Sequence, residues 1–280
     1  MRFWYKKILD KNFSGKDSVY KYTSFKDYEK ELGGYEPNRY FLDQKSFFKR
    51  YLNDHRKHWD DFINKNISNK EKILSVGTGL GINELLLIKK KYNIVCSDLE
   101  IPRTYKICKE LFGNFEYRKL NILSSYSEEK FDCIISLSLA FIFSNKEMEI
   151  FFENVFKSLS VNGKFVLDIG GSEDNFLSRI YDEFLLPLES GSIYLVYKLL
   201  GKKYRLFKRH EGYKYKNKEI IEIAKKKGFK IVKFQIDDFI TDFERSKIIS
   251  FIIRLLPFTK KILYILGHKM AYVRIFKFEK

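Results

Sequence analysis

A glycine-rich turn at Gly77, Gly79 and Gly81 is the part of the sequence best suited to bind a ligand. The apolar residues 73–76 before it predict a buried strand, and a helix is expected to begin at about Asn83. Because glycine tolerates positive φ and has no side chain, a ligand could approach the bare backbone and the helix N-terminus. The alternative interpretation is a tight strand-to-helix turn that binds nothing, since short glycine patterns have many false positives.

The spacing of these glycines excludes two common nucleotide-binding motifs. A dinucleotide fingerprint would need a glycine in place of Ile82. A P-loop would need Gly-Lys-Ser or Gly-Lys-Thr after the turn, and the sequence has neither. The pattern is Gly-x-Gly-x-Gly, which leaves other ligands that are held by backbone groups.

An acidic residue ends the next predicted strand. Residues 93–98 form a short apolar strand that finishes in Asp98, one strand–helix–strand step after the glycines. A carboxylate at that strand end can accept hydrogen bonds from both hydroxyls of a ribose. A further strand, 115–120, is followed by Asn121, whose side-chain oxygen can also accept.

The order of the remaining elements predicts a doubly wound, parallel α/β sheet. Residues 131–138 form a nearly continuous apolar run, as expected of a strand that is buried on both faces. Helix-periodic apolar residues follow from Met148 to Leu159, and we expect Asn162-Gly163 to end that helix. Residues 164–169 are the next strand, so strands and helices alternate.

Several segments, in this order, resemble the class I S-adenosylmethionine-dependent methyltransferases. The glycine turn is similar to their first motif, and Phe131-Asp132 begins a segment like their "FD-hydrophobic" strand. Residues 157–167 are similar to their "LKPGG" segment, 220–229 to their late helix-Gly-Phe-strand unit, and 271–278 to their last, antiparallel strand. The resemblance implies a Rossmann-like sheet of seven strands, mostly parallel with an antiparallel last strand.

The resemblance also divides the chain. It covers residues 71–280, with insertions near 190–215 and 240–268, and leaves residues 1–70 as an N-terminal helical extension. In the family such helices often cap the cofactor and substrate, and the competing interpretation is that they only pack on the sheet. Tyr20 to Leu32 and Gln44 to Ile67 have the spacing of amphipathic helices.

The cofactor that the resemblance implies is S-adenosylmethionine. Ser75 stands where the family usually has an acid that helps to hold the methionine amino end, so a charge is expected to be lacking there. Asn121 stands where the family often has an aspartate near the adenine amino group. The residues expected to bind the cofactor are Ser75, Gly77, Thr78, Gly79, Gly81, Asp98, Leu99, Asn121, Ile122 and Ser136.

A general base is needed if the acceptor is a hydroxyl, and histidine suits the role because its pKa lies near neutrality. His210 lies in an Arg-His-Glu-Gly-Tyr string that resembles a His-x-Gly-aromatic string in the acceptor region of glycan-modifying relatives. We therefore expect His210 to be the base and Tyr213 to orient it. The alternative is a loop histidine that makes only local hydrogen bonds.

Composition limits the partners. The 280 residues carry a formal net charge of +17, and residues 198–233 are especially rich in lysine. Such an excess favours an anionic partner, namely a phosphate-bearing substrate, nucleic acid or an acidic membrane surface, or is simply a solvated face. The three cysteines form no motif, which fits a reducing compartment, and His55 and His58 lack further ligands, so we predict no metal site.

The two insertions combine apolar residues with cations. Arg254, Pro257, Lys260 and Lys261 interrupt the second one, which argues against a membrane span. Both insertions fit elements that lie on an anionic membrane surface, and the competing interpretations are a lid over the site or an oligomer contact. Since the N-terminus lacks a long apolar core, we expect a cytoplasmic protein, with the inner face of the membrane as the alternative location.

Together these features predict a methyltransferase that acts on a sugar, a lipid-linked molecule or another small acceptor, for instance in glycan assembly. An RNA methyltransferase is the first alternative. It is less favoured because no RNA-binding module, catalytic cysteine motif or Asn-Pro-Pro box is present in the sequence. The second alternative is a non-catalytic adaptor with the same fold, which only the lack of an acid at Ser75 supports.

Overall fold

The computed structural model describes most of the α/β domain and parts of both insertions. The described residues are 2–3, 56–79, 83–102, 104–170, 186–201, 213–236, 247–259, 261–262 and 273–280. The predictions for Gly81, for His210 and for a helix at 20–32 therefore lie outside the described residues.

Nine strands lie within the described residues and form two sheets. In chain order they are β1 (Arg2–Phe3), β2 (Lys72–Val76), β3 (Asn93–Asp98), β4 (Glu116–Lys119), β5 (Phe131–Ser136), β6 (Leu159–Gly170), β7 (Tyr213–Lys214), β8 (Lys230–Ile236) and β9 (Val273–Glu279). Seven of them form the main sheet in the order β4-β3-β2-β5-β6-β9-β8, while β1 and β7 form a separate antiparallel ribbon.

Seven α-helices accompany these strands in the part of the chain that is described. They are α1 (Arg56–Asn66), α2 (Leu85–Lys89), α3 (Thr104–Phe112), α4 (Asn145–Ser158), α5 (Leu186–Leu199), α6 (Asn217–Lys226) and α7 (Lys247–Leu255). A short 3-10 turn, Ala140–Ile142, lies between β5 and α4.

The predicted fold is confirmed. In the run β4-β3-β2-β5-β6 of the main sheet, all neighbouring strands pair in parallel. The strand β9 pairs antiparallel with both β6 and β8. The strand order reverses at β2, which has β3 on one side and β5 on the other. In open parallel sheets ligands bind beyond the carboxyl ends of the strands at such a reversal, and the glycine turn follows β2 there.

Residues of β2, β3, β5, β6 and β9 fill two cores, one on each face of the sheet. On one face Ile73, Cys96 and Ile135 pack against α1 and its neighbours, and Phe62 and Ile63 of α1 are fully buried. The opposite face carries a cluster of phenylalanines from α4, β6 and β9 in edge-to-face contact. Because both faces are covered, the strands read as continuous apolar runs rather than as alternating ones.

The helix α4 ends earlier than expected. A capping box between Ser144 and Glu147 starts it, and it stops at Ser158 because Leu159 is already extended and pairs with Phe131. The prediction that Asn162-Gly163 ends this helix is therefore wrong. Asn162 instead has a positive φ of 61° inside an irregular part of β6, where the register with β5 shifts.

Candidate active site

The glycine turn is fixed by the neighbouring strand β3. The backbone N–H groups of Gly77 and Thr78 both donate to the carbonyl oxygen of Ser97, at 2.9 and 3.1 Å. Gly77 and Gly79 have φ values of 71° and 56°, a region that disfavours residues with a side chain. A Cβ at Gly77 would also collide with the side chain of Leu139. Both positions therefore require glycine.

Tyr117 of β4 makes two hydrogen bonds to the same turn. Its hydroxyl donates to the carbonyl oxygen of Gly79 at 2.8 Å and accepts from the hydroxyl of Thr78 at 2.7 Å. Burial raises the pKa of the Tyr117 phenol far above its usual value, so it remains a donor at any physiological pH. Sequence reasoning did not single out Tyr117, because a strand tyrosine followed by a basic residue has the pattern of an ordinary core position.

Asp98 lies at the carboxyl end of β3, where the prediction placed it, and its side chain is hydrogen-bonded to the glycine turn. One carboxylate oxygen accepts from the N–H of Gly79 at 2.6 Å, and the other accepts from the N–H of Leu99 at 2.7 Å. Burial raises the pKa of Asp98 to about 6, although the two backbone bonds act in the opposite direction. Each oxygen retains further lone-pair capacity, so the carboxylate can accept two ligand hydroxyls as well.

A buried acid stands beside Ser75 after all. The hydroxyl of Ser75 donates to the carboxylate of Glu84 at 2.8 Å, and both side chains are almost fully buried. Glu84 occupies the residue immediately before α2, which begins at Leu85 rather than at about Asn83. Ser75 itself brings no charge, as expected, but an acidic side chain does lie beside it, and it comes from the helix start instead of from the strand.

The other expected cofactor residues lie at the ends of β4 and β5. The side-chain oxygen of Asn121 accepts from the N–H of Leu123 at 3.1 Å, which closes a local turn and leaves part of its acceptor capacity. The side chain of Ile122 is buried in the core. Ser136 is fully buried, and its hydroxyl has no hydrogen-bond partner among the described residues. A buried hydroxyl of this kind suits a polar ligand atom.

The loop after β5 borders the crevice, which here means the region beyond the carboxyl ends of β2 and β5 where the strand order reverses. Ser138, with a φ of 58°, donates its N–H to the buried carboxylate of Asp168 on β6. The hydroxyl of Tyr215 donates to the carbonyl oxygen of Phe143. Tyr213, the predicted orienting group, lies on β7, which contacts the 3-10 turn of this loop. The structure thus brings Tyr213 to the same edge of the sheet as the glycine turn.

The residues at this edge fit a ligand with adjacent hydroxyls and a positive end. Asp98 offers a carboxyl group at the turn, Ser136 offers a buried hydroxyl that has no hydrogen-bond partner among the described residues, and Glu84 adds a second, buried carboxyl group beside Ser75. Among the described residues no three His, Cys, Asp or Glu side chains form a cluster that could hold a metal ion. The three cysteines are all buried and free, and burial raises the pKa of each thiol.

Comparison with known proteins agrees with this architecture. Neither a family model nor a curated protein matches the sequence. Among solved structures, magnesium protoporphyrin IX methyltransferase of Synechocystis with bound SAH has a TM-score of 0.54 at 14% identity, over 91% of this chain and 97% of that chain. A protein of Pyrococcus horikoshii gives 0.55 at 15% identity, over 89% and 98% of the two chains.

A third similar structure is a Burkholderia thailandensis 1,6-didemethyltoxoflavin-N1-methyltransferase with bound S-adenosylhomocysteine. It has a TM-score of 0.52 at 10% identity, over 92% of this chain and 91% of that chain. At such low identity the likeness concerns the fold, which is that of the class I S-adenosylmethionine-dependent methyltransferases.

Proposed function

We propose that this protein is an S-adenosylmethionine-dependent methyltransferase whose acceptor is a sugar, a lipid-linked molecule or another small molecule. The observation that carries the proposal is the contact between Asp98 and the N–H of Gly79. It places a carboxylate and a side-chain-free turn together at the reversal of the strand order, where nucleosides bind in doubly wound sheets.

Different residues of this chain would bind different parts of the cofactor. Asp98 accepts the ribose hydroxyls, the turn lets the ligand approach its backbone, and Asn121 accepts from the adenine amino group. Glu84 binds the methionine amino end, because Ser75 stands where the family has an acid and Glu84 brings a carboxyl group next to it. When bound, the cofactor supplies a methyl group that its sulfonium sulfur activates.

The loop after β5 excludes water from the crevice and positions the acceptor. Asp168 and Tyr215 hold the backbone of this loop at both ends, through Ser138 and Phe143. For a hydroxyl acceptor His210 takes the proton, and Tyr213 orients it from β7. Titration near neutrality lets a histidine accept that proton at the pH of the cell.

Calorimetry with S-adenosylhomocysteine tests the placement of the cofactor. Replacing Gly79 with valine forces a branched side chain into a conformation with positive φ, against the ligand, and should abolish measurable binding. Gly113→Val is the matched control, because Gly113 also has a positive φ but has open space around it at the end of α3. A folded Gly79→Val protein with the affinity of the wild type would contradict the proposal.

A radiolabelled-methyl assay on a fractionated lysate tests the acceptor class. Label that enters glycan, lipid or small molecules supports the proposal. Label that enters RNA overturns the acceptor class and favours the alternative that the basic composition suggests. Binding of the cofactor without any transfer would favour an adaptor, for which the carboxylate beside Ser75 has removed the original support.

A further inference from the structure

The two insertions carry helices whose apolar side chains are exposed to solvent. On α5 the side chain of Leu199 is 86% exposed, and on α7 those of Phe251 and Leu255 are 61% and 62% exposed. Large apolar side chains elsewhere in the described structure are mostly buried in the two cores. Contiguous exposed apolar surface on a soluble domain marks a site of interaction.

The exposed residues form stripes along the helices. Phe251 and Leu255 are four residues apart on α7, so both lie on one face of that helix. The exposed Phe258 and Ile262 follow after α7 has ended. On α5 the exposed residues Leu188, Leu195 and Leu199 are separated by seven and four residues, and Val196 beside them is exposed as well. Each insertion therefore presents a set of exposed apolar residues, which is called its apolar stripe below.

Cations, but almost no anions, accompany these stripes. From Lys247 to Ile262 the sequence contains four basic residues and no acidic residue, and from Leu188 to Arg205 it contains four basic residues and one acidic residue. No ion pair among the described residues involves Lys198, Arg254 or Lys261. By contrast, lysines elsewhere on the domain pair with carboxylates, as in Lys72–Glu129, Lys157–Glu153 and Lys164–Glu71.

Both insertions are attached at the edge of the sheet that carries the active site. β6 is parallel to β5, so the first insertion leaves Gly170 at the carboxyl edge, and it returns at β7 beside the 3-10 turn. β8 and β6 are both antiparallel to β9, so the second insertion leaves Ile236 at that same edge and returns at Val273. The apolar stripes thus belong to connections that begin and end beside the crevice.

We propose that α5 and α7 dock the protein on the surface of an anionic lipid bilayer. The apolar stripes enter the boundary between headgroups and acyl chains, and the adjacent cations meet lipid phosphates. No helix within the described residues is long and apolar enough to cross a membrane, so the contact is with the surface. An apolar protein partner would leave the cations of both segments without counter-charges, and for that reason lipid is the occupant that fits.

Docking has a consequence for the acceptor that rests on the proposed function. Because both insertions are attached at the carboxyl edge, the crevice would lie near the lipid surface. A lipid-linked acceptor could then reach the crevice without leaving the membrane. The docking itself does not depend on catalysis, so it can be tested separately from methyl transfer.

Vesicle flotation with the full chain tests the docking. Vesicles of phosphatidylcholine with about 30% phosphatidylglycerol should carry the protein upward, and pure phosphatidylcholine vesicles should carry much less, because each cation near an anionic surface contributes about a fivefold gain. Leu255→Asp and Leu199→Asp should each weaken the partition coefficient by about tenfold or more, since each puts a charge into the apolar stripe. Lys261→Gln should weaken it by about fivefold.

Two control variants match these changes at the opposite edge of the sheet. Val161→Asp introduces the same charge at an apolar residue that is 84% exposed near the amino end of β6, and Lys70→Gln removes an exposed cation just before β2. Both should float like the wild type. Circular dichroism and thermal unfolding show whether all variants are folded, and calorimetry with S-adenosylhomocysteine reports on the proposed function independently.

Three outcomes would overturn the docking. The first is wild-type flotation of both Leu255→Asp and Leu199→Asp. The second is equal loss in the Val161→Asp control. The third is a lack of flotation together with a concentration-dependent dimer that Leu255→Asp dissociates, which would assign the stripes to a second copy of the chain. Loss of cofactor binding with normal flotation would instead refute the proposed function and leave the docking intact.

Discussion

Replacement of Asp98 with alanine should weaken cofactor binding strongly at neutral pH. The carboxylate is held by the N–H groups of Gly79 and Leu99, at 2.6 and 2.7 Å, so its position is set before any ligand arrives. Loss of one or two charge-assisted hydrogen bonds, each worth about 1.5–3 kcal/mol, corresponds to at least about a tenfold weaker dissociation constant. Glu100→Ala is the matched control, because Glu100 is exposed and pairs with Lys119.

The same carboxylate predicts how affinity depends on pH. Burial raises the pKa of Asp98 to about 6, so the free protein keeps a proton there at lower pH. Ligand hydroxyls bind the ionised form better, and binding therefore becomes tighter as the pH rises through about 6 and then levels off. At about pH 5 only ~10% of a group with this pKa is ionised, so affinity should be about tenfold lower than at about pH 7.5.

The stability of the free protein depends on pH in the opposite direction from its affinity for the ligand. A carboxyl group whose folded-state pKa is raised stabilises the folded state at low pH, and that contribution is lost as the pH rises through about 6. Bound cofactor should compensate for this loss, so ligand-induced stabilisation should be larger at about pH 7.5 than at about pH 5.

Calorimetry and thermal unfolding with S-adenosylhomocysteine, at both pH values, measure these effects. The reasoning fails if Asp98→Ala changes affinity less than about threefold, or if Glu100→Ala loses as much. An equally steep pH dependence in the alanine variant would also assign the titration to another group. A folded alanine variant that binds weakly and is insensitive to pH is the expected result.

Three further predictions concern residues around the same edge. Tyr117→Phe should lower cofactor affinity several-fold and the free energy of unfolding by about 1–2 kcal/mol, because two hydrogen bonds to the turn are lost. The control Tyr92→Phe loses only an exposed hydrogen bond and should change neither quantity. Calorimetry and thermal unfolding measure both variants. Glu84→Gln should weaken binding of S-adenosylmethionine about tenfold, equal to ~1.4 kcal/mol, and unchanged affinity in that variant would remove its assigned role. His210→Ala should bind the cofactor normally and transfer methyl groups about 10²–10⁴-fold more slowly, so a normal rate in the radiolabel assay would exclude it as the base.

The strands β2, β3 and β5 were predictable from the sequence because nearly all of their residues are buried. β3 begins and ends at the predicted residues, since an exposed Asn93 and the partly exposed Asp98 enclose four buried residues. Seven strands with an antiparallel last one were implied by the family resemblance, and the main sheet has them. Local chemistry is sufficient where a segment is apolar throughout and its ends are polar.

The differences arise where a contact distant in sequence decides the outcome. Asn162-Gly163 signals a change of direction, and Asn162 does adopt positive φ, but pairing of Leu159 with Phe131 had already ended the helix. The Glu84 carboxyl group could not be assigned to Ser75, because the two residues are nine positions apart and only the folded chain brings them together. Tyr117 is similar, since its hydroxyl reaches a carbonyl 38 residues earlier.

The hydrogen bonds around the turn explain why its conformation can exist without a ligand. Two backbone donors of the turn bind Ser97, a third binds Asp98, and a turn carbonyl accepts from Tyr117. These partners come from β3 and β4, which are part of the main sheet and are covered by the core. The backbone of residues 77–79 is therefore held by the sheet itself, so ligand binding does not have to order it. A site that is ordered in advance loses less conformational entropy on binding. For this reason Tyr117, which touches no ligand in the proposed arrangement, should still affect cofactor affinity.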